Sequence, residues 1–282
     1  LSALTLSLSF ALPALAATVT TETQTDSATF GDELRSGFDS RINILGFGIA
    51  QSIEDDSPLN PANALRIPRR QGELDFRPDF NLHVRQFEFG LKPRFQYTRS
   101  KVDFGAGASS SDTTHHFFIN EGFVRYRITD TLLANYGREN LQWGPSALLS
   151  PSNPFNANNG KNNPYVELGG TDYARLVAIP NSALTVSLIA NTRAGRLEQN
   201  PFQNTAFQDD HFQKNYALKL DYTGDGHYFS VIASHRQQDR NRLGFFGGWN
   251  ASDALLLYTE GSTARKANDA PSNTKNDYQL LA

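Results

Sequence analysis

The sequence predicts an all-β protein, an antiparallel up-and-down transmembrane β-barrel. Three observations predict it: strict alternation over two adjacent long segments, short turns that alternate with long loops, and an export-type start with no helical membrane span after it. The alternation is clearest in residues 74–97. Leu74, Phe76, Pro78, Phe80, Leu82 and Val84 take every second position, against Asp75, Arg77, Asp79, Asn81 and His83. After Arg85 and Gln86 the phase flips. Phe87, Phe89, Leu91, Pro93, Phe95 and Tyr97 then alternate with Glu88, Gly90, Lys92, Arg94 and Gln96. A strand sends successive side chains to opposite faces, so each run has one apolar and one charged face. A phase flip at a tight reversal keeps two antiparallel apolar faces together. Runs of about ten to twelve residues are roughly twice the usual soluble strand, and about ten residues at a 45° tilt cross a bilayer. Pro78 and Pro93 cannot donate to a ladder and are expected at bulges.

In chain order, residues 1–16 read as a secretory signal peptide, truncated at its start and cleaved after Ala16. Residues 17–36 are polar and Thr-rich, a flexible periplasmic lead-in. Residues 37–282 form the barrel domain, incomplete at the C-terminus. Strands are expected at 37–51, 74–84, 87–97, 117–128, 132–140, 173–179, 184–193, 214–222, 228–236, 243–249 and 254–260, with a twelfth starting near Asp277. The connections 52–72, 100–115, 141–171, 194–213 and 261–276 are long, and those between them are short. A soluble antiparallel sheet shares the alternation, but has no reason to put long loops at alternate connections. Outer-membrane barrels do. The chain ends in mid-strand, so the eleven to twelve strands are expected to belong to a barrel of about fourteen to eighteen.

Composition narrows the function classes. The chain has no cysteine, so disulfides and thiolate metal sites are excluded. Twenty-six basic residues against twenty-nine acidic ones give no bulk attraction to nucleic acid. The mean hydropathy of −0.47 is too polar for a helical membrane protein and suits a barrel whose lumen and loops face water.

Residues 136–155 read YGRENLQWGPSALLSPSNPF. A strand ending Gly-Arg-x-x-x-x-Trp-Gly that runs into a Pro/Asn-rich loop resembles a motif of large porin-like outer-membrane families, among them carbohydrate porins, alginate-export-type barrels and a group of exported barrels of unassigned role. Gly137, Arg138, Gln142, Trp143, Gly144 and Pro145 carry the match. The extended Trp-Gly-Pro-Gly signature of capsule-assembly barrels is absent. The resemblance implies a Gram-negative outer-membrane location and a channel for small hydrophilic solutes, anionic or sugar-like. A plugged barrel for surface polysaccharide assembly or export, and an outer-membrane enzyme, are the alternatives.

On the lipid face a charge would cost about 2–4 kcal/mol near the midplane, so the strand charges are expected to face the lumen. Arg77, Lys92, Arg94, Glu121, Arg125, Arg127, Arg175 and Arg193 are the candidate lumen and solute-contacting residues. Ion pairs bracing the wall and contacts to solute both fit them. The 141–171 loop reads either as a gate or as a cover on the rim. Arg138, Glu139, Trp143, Asn153, Phe155 and Tyr165 are its candidate residues, with the asparagine amides offered to sugars and the rings as stacking faces. Arg138 is expected to turn inward to Glu121 or another lumen carboxylate, and Trp143 to pack under the loop at the membrane interface. No HExxH or catalytic triad spacing occurs, and no cofactor, metal or catalytic residue is expected. The expected partners are outer-membrane lipid and small hydrophilic solutes, not nucleic acid.

Overall fold

A computed structural model describes residues 2–10, 29–54, 58–104, 108–146, 149–156, 167–193, 214–237, 240–265 and 276–281. The protein is an all-β, antiparallel up-and-down sheet in which every strand neighbours the next in sequence. Its strands are β1 (Ser2–Phe10), β2 (Phe38–Ala50), β3 (Arg70–Val84), β4 (Phe87–Asp103), β5 (Ser109–Thr129), β6 (Leu132–Glu139), β7 (Thr171–Asn181), β8 (Leu184–Arg193), β9 (Asn215–Gly224), β10 (His227–Arg236), β11 (Arg240–Ser252), β12 (Leu255–Arg265) and β13 (Asn276–Leu281). The twelve expected strands correspond to β2–β13. No helix among the described residues is long and apolar enough to cross a membrane, which says nothing about strands.

Several local features stand beside the sequence reading. The expected long connection at 100–115 is mostly strand: β4 runs on to Asp103 and β5 begins at Ser109, with Phe104 N–H donating to the Ala108 carbonyl at 2.7 Å. Thr and Ser continue the ladder there as readily as they would fill a loop. Pro78 lies opposite Ile42 in an unbroken β2–β3 register, not at a bulge. The Arg94 guanidinium bonds the carbonyls of both prolines, at 2.8 Å for Pro78 and 2.9 Å for Pro93. Ser2–Phe10, inside the span read as a signal, lies antiparallel to β2 from Ser2↔Ala50 to Phe10↔Ile42.

The lead-in ends in a helix, α1 (Phe30–Gly37), where the sequence reading has a flexible segment up to residue 36. A capping box starts it. Asp32 N–H donates to Thr29 Oγ1, and the Asp32 carboxylate accepts from Thr29 Oγ1 at 2.6 Å and Thr29 N–H at 3.2 Å. The Thr29 hydroxyl, then its N–H, hold the Asp32 carboxyl below its ordinary 3.8. A depressed carboxyl stabilises above its unfolded pKa, and that contribution is lost as pH falls through the folded value. Carboxyl-carbon NMR titration of Asp32 is expected to give a midpoint below 3.8. In Thr29→Val the midpoint moves back up and α1 frays.

The chain forms two compact units, 1–84 with 90–120, and 85–89 with 121–282. Each is built on the same inversion. In the first, Leu74, Leu91, Phe95 and Tyr97 are exposed while Asp75 is 0 % and Arg94 3 % exposed. In the second, Leu188, Leu218, Leu220 and Leu243 are exposed while Asn135, Glu139 and Glu260 are buried. Exposed rings stack on one another across strands, as in Phe95–Phe117 at 4.7 Å and Phe87–Tyr126 at 4.7 Å. In each unit, then, apolar side chains are exposed on one face while buried polar side chains lie on the other.

Candidate functional site

The polar face of the first unit is an ion-pair network. Arg77 Nη2 reaches Asp75 Oδ2 at 2.5 Å, Gln96 Nε2 donates to the same oxygen at 3.4 Å, and Arg94 Nη2 meets Asp79 Oδ1 at 2.8 Å. Lys92 is half-buried on the same face of β4 as Arg94. Strand alternation alone brings these groups together: the charged positions of β3 and β4 share one face.

In the second unit Arg125 lies between two carboxylates, Glu88 at 2.6 Å and Glu139 at 3.6 Å. Glu139 also accepts from Asn135 Nδ2 at 2.5 Å. Lys219 pairs with Asp221, which takes a bond from Ser230 Oγ at 2.5 Å. Arg175 occupies the row Asn135–Arg175–Ile189, and its Nε is buried without a hydrogen-bond partner. Glu121 is half-buried, whereas Arg127 and Arg193 are exposed near strand ends. So the predicted arginines split. Arg77, Arg94 and Arg125 pair with carboxylates on the polar face, and Arg127 and Arg193 lie outside this buried network.

Arg138 departs from expectation. Alternation from Asn135 puts Glu139 on the polar face and leaves Arg138 on the face of Tyr136, which is 57 % exposed. There Arg138 Nε binds Asp172 Oδ1 at 2.8 Å, its register partner on β7. A charge at the end of an apolar face is stabilised by such a neighbour, and the polar face at this point is already taken by Glu139.

The connection after β6 turns back over the polar face of β9–β12. Its apolar side chains find a small core. Leu141 packs with Tyr173, Ile189, Ala217, Ile232 and Phe246, and Trp143 and Phe155 close over them. Phe155 meets Trp143 and Tyr173 edge-on at 5.9 and 5.1 Å. Lys219 Nζ lies 5.4 Å from the Trp143 ring centroid. Trp143 is thus packed against the small core, with Lys219 beside its ring.

A buried carboxylate fastens this loop. Glu260 on β12 is 0 % exposed. Its Oε1 accepts from Ser150 Oγ at 2.5 Å, Ser152 Oγ at 2.7 Å and Ser152 N–H at 3.2 Å, and its Oε2 from Ser146 N–H at 3.4 Å. Two glycines make room. A Cβ on Gly144, whose φ is +88°, would fall 2.5 Å from both Glu260 oxygens, and one on Gly244 would fall 2.7 Å from the Ser152 carbonyl. The Gly of the Trp-Gly motif thus adopts a φ that L side chains rarely take and leaves room for the carboxylate it faces. Arg242 Nη2 and Arg236 Nη2 add bonds to the Pro151 and Pro154 carbonyls at 2.5 and 3.1 Å.

No family model, curated protein or solved structure matches this chain.

Asn153 is not an amide presented to a solute. It is 1 % exposed. Its Nδ2 donates to the Leu141 carbonyl at 2.8 Å, and its Oδ1 accepts from Phe155 N–H at 3.0 Å and Asn156 N–H at 3.2 Å. An asparagine so placed closes a turn, the local bonding that favours Asn in loops. Tyr165 lies outside the described residues. The sequence reading, which expects strand charges to share the polar face, does not single out Glu260 as the group that holds the loop. The signal was there in Ser146, Ser150 and Ser152 beside a glycine, but nothing in the sequence pairs them with a residue more than a hundred positions away.

Proposed function

We propose that the chain is a transmembrane β-barrel of the Gram-negative outer membrane, exported by its N-terminal signal, and that it passes small hydrophilic solutes through a mixed-charge lumen narrowed by the 141–156 loop. The observation that carries the reading is the inversion of the sheet. Its least accessible residues include Asp75, Asn120, Glu260, Ser150 and Ser152, while its strands expose Leu, Phe and Tyr. In water that arrangement forfeits the hydrophobic effect on one face and buries charge on the other. In lipid both assignments become favourable. The porin-like motif at 136–155 supports the same reading.

A second reading, the plugged barrel for polysaccharide assembly or export, draws on the loop's anchorage by a small core and a buried carboxylate. Planar-bilayer recording separates the two. An open channel gives stable conductance steps and swelling of sugar-loaded liposomes with the wild-type chain. A plugged barrel gives neither until Glu260 is replaced. A chain that stays out of membranes and keeps a monodisperse soluble form contradicts both. No catalytic role is proposed.

A further inference from the structure

We infer that Lys219 is a positioning residue for the loop after β6: its ammonium clamps the Trp143 ring to the sheet, beside the Glu260 carboxylate that holds the serines. The clamp rests on the following geometry, and its effect on conductance rests on the channel reading.

Alternation on β9 leaves Leu218 and Leu220 exposed and turns Lys219 to the polar face, where its side chain is 12 % exposed. A lysine placed so deep needs compensation for its lost hydration. One part is the Asp221 carboxylate, which pairs with Lys219 and also takes the Ser230 hydroxyl at 2.5 Å. The other part is aromatic. Lys219 Nζ lies 5.4 Å from the Trp143 ring centroid and 5.3 Å from that of Phe246, both within cation–π reach. Phe246 belongs to β11 and Trp143 to the loop, so one ammonium joins the two sides of the contact. The Trp143 indole N–H is buried and meets no acceptor among the described residues. The ring is therefore held by its packing and by the cation at its face.

The register puts this clamp next to the Glu260 contacts. Asp221, Ser230, Phe246 and Glu260 are successive register partners across β9, β10, β11 and β12, one row of the polar face. The loop links the two fastenings. Ser150 Oγ donates to the Trp143 carbonyl at 2.8 Å and to Glu260 Oε1 at 2.5 Å. Trp143 is thus fixed at its ring by Lys219 and at its carbonyl by the serine that Glu260 binds. A leucine at 143 could pack in the small core, but it offers the ammonium no π face.

The test uses the full chain folded in detergent micelles. The chain has two tryptophans, so a Trp249→Phe parent leaves Trp143 as the one indole emitter. Lys219→Met keeps the stem and removes the charge. It is expected to raise acrylamide quenching of Trp143 at least about twofold and to lower protease protection of residues 149–156 by about three- to tenfold, the range a cation–π contact supplies. Lys219→Arg keeps a cation and is expected to stay within about twofold of the parent on both readouts. In a Trp143→Leu chain, Lys219→Met is expected to change protection by less than about twofold, because the partner ring is already gone. Lys219→Gln, which keeps a donor for Asp221, replaces Lys219→Met if that variant does not fold. Unchanged quenching and protection in Lys219→Met, an equal loss in Lys219→Arg, or a full loss in the Trp143→Leu background overturns the clamp. Planar-bilayer conductance is read separately. A released clamp with raised conductance upholds both the clamp and the channel reading. A released clamp with unchanged conductance upholds the clamp and goes against a loop that narrows a channel.

Discussion

Replacing Glu260 by alanine is expected to release the 141–156 loop from the polar face. The carboxylate takes four hydrogen bonds from three serines of one short segment, all out of contact with water. A hydrogen bond to a charged group contributes about 1.5–3 kcal/mol, and each buried donor left without its acceptor costs about 1–3 kcal/mol. Even after relaxation, a net loss of about 3 kcal/mol shifts the docked-to-released ratio by roughly a hundredfold, since about 1.4 kcal/mol is tenfold. Single-channel conductance is then expected to rise at least twofold and residues 149–156 to become protease-sensitive, with the strands still folded. The remaining Leu141–Trp143–Phe155 packing limits how far the loop swings. Glu260→Gln keeps the shape and two hydrogen-bond sites, so it is expected to give a smaller change in the same direction. Unchanged conductance and unchanged protection in Glu260→Ala would show that the core alone holds the loop.

The second large effect separates lipid from water as the medium of the exposed face. Leu218 is 40 % exposed and lies between Leu188 and Ala233 in register, midway along β9. An arginine there costs about 2–4 kcal/mol if the face meets the bilayer midplane. On a water-exposed face the same change stays within about 0.5 kcal/mol. Urea unfolding of Leu218→Arg from lipid vesicles is expected to show the larger loss, with Leu218→Phe close to wild type. A loss below about 0.5 kcal/mol would place that face in water.

Much of this fold can be read from the sequence because its signal is local. The alternation at 74–97 specifies which side chains share a face, and β3 and β4 place Asp75, Arg77, Asp79 and Arg94 together as that pattern requires. Turn chemistry such as Thr223-Gly224-Asp225-Gly226 marks the β9–β10 reversal. Where hydroxyl and small residues replace the alternation, as near Ser109, strand and loop look alike and the boundary was misplaced. The parity of Arg138 and Glu139 is ambiguous for a related reason: both are charged, so pattern alone does not say which faces inward. The loop site was legible only in part. Trp143 and Phe155 stand out as rings in a polar segment, but Glu260, Arg236 and Arg242 reach the loop through the β10–β12 register. That contact depends on how distant strands line up, which no local pattern encodes.

The inverted sheet is tested most directly by site-directed spin labelling, which the absence of cysteine makes clean. Single cysteines at positions 217 to 221 of β9 are labelled in chain reconstituted into vesicles, and collision with oxygen is compared with collision with a water-soluble nickel reagent. Positions 218 and 220 are expected to favour oxygen strongly, and positions 217, 219 and 221 to be shielded from it, in a two-residue period. Equal access of the nickel reagent to all five positions, or a period in which 218 and 220 are the wetter sites, would contradict a lipid-facing apolar surface.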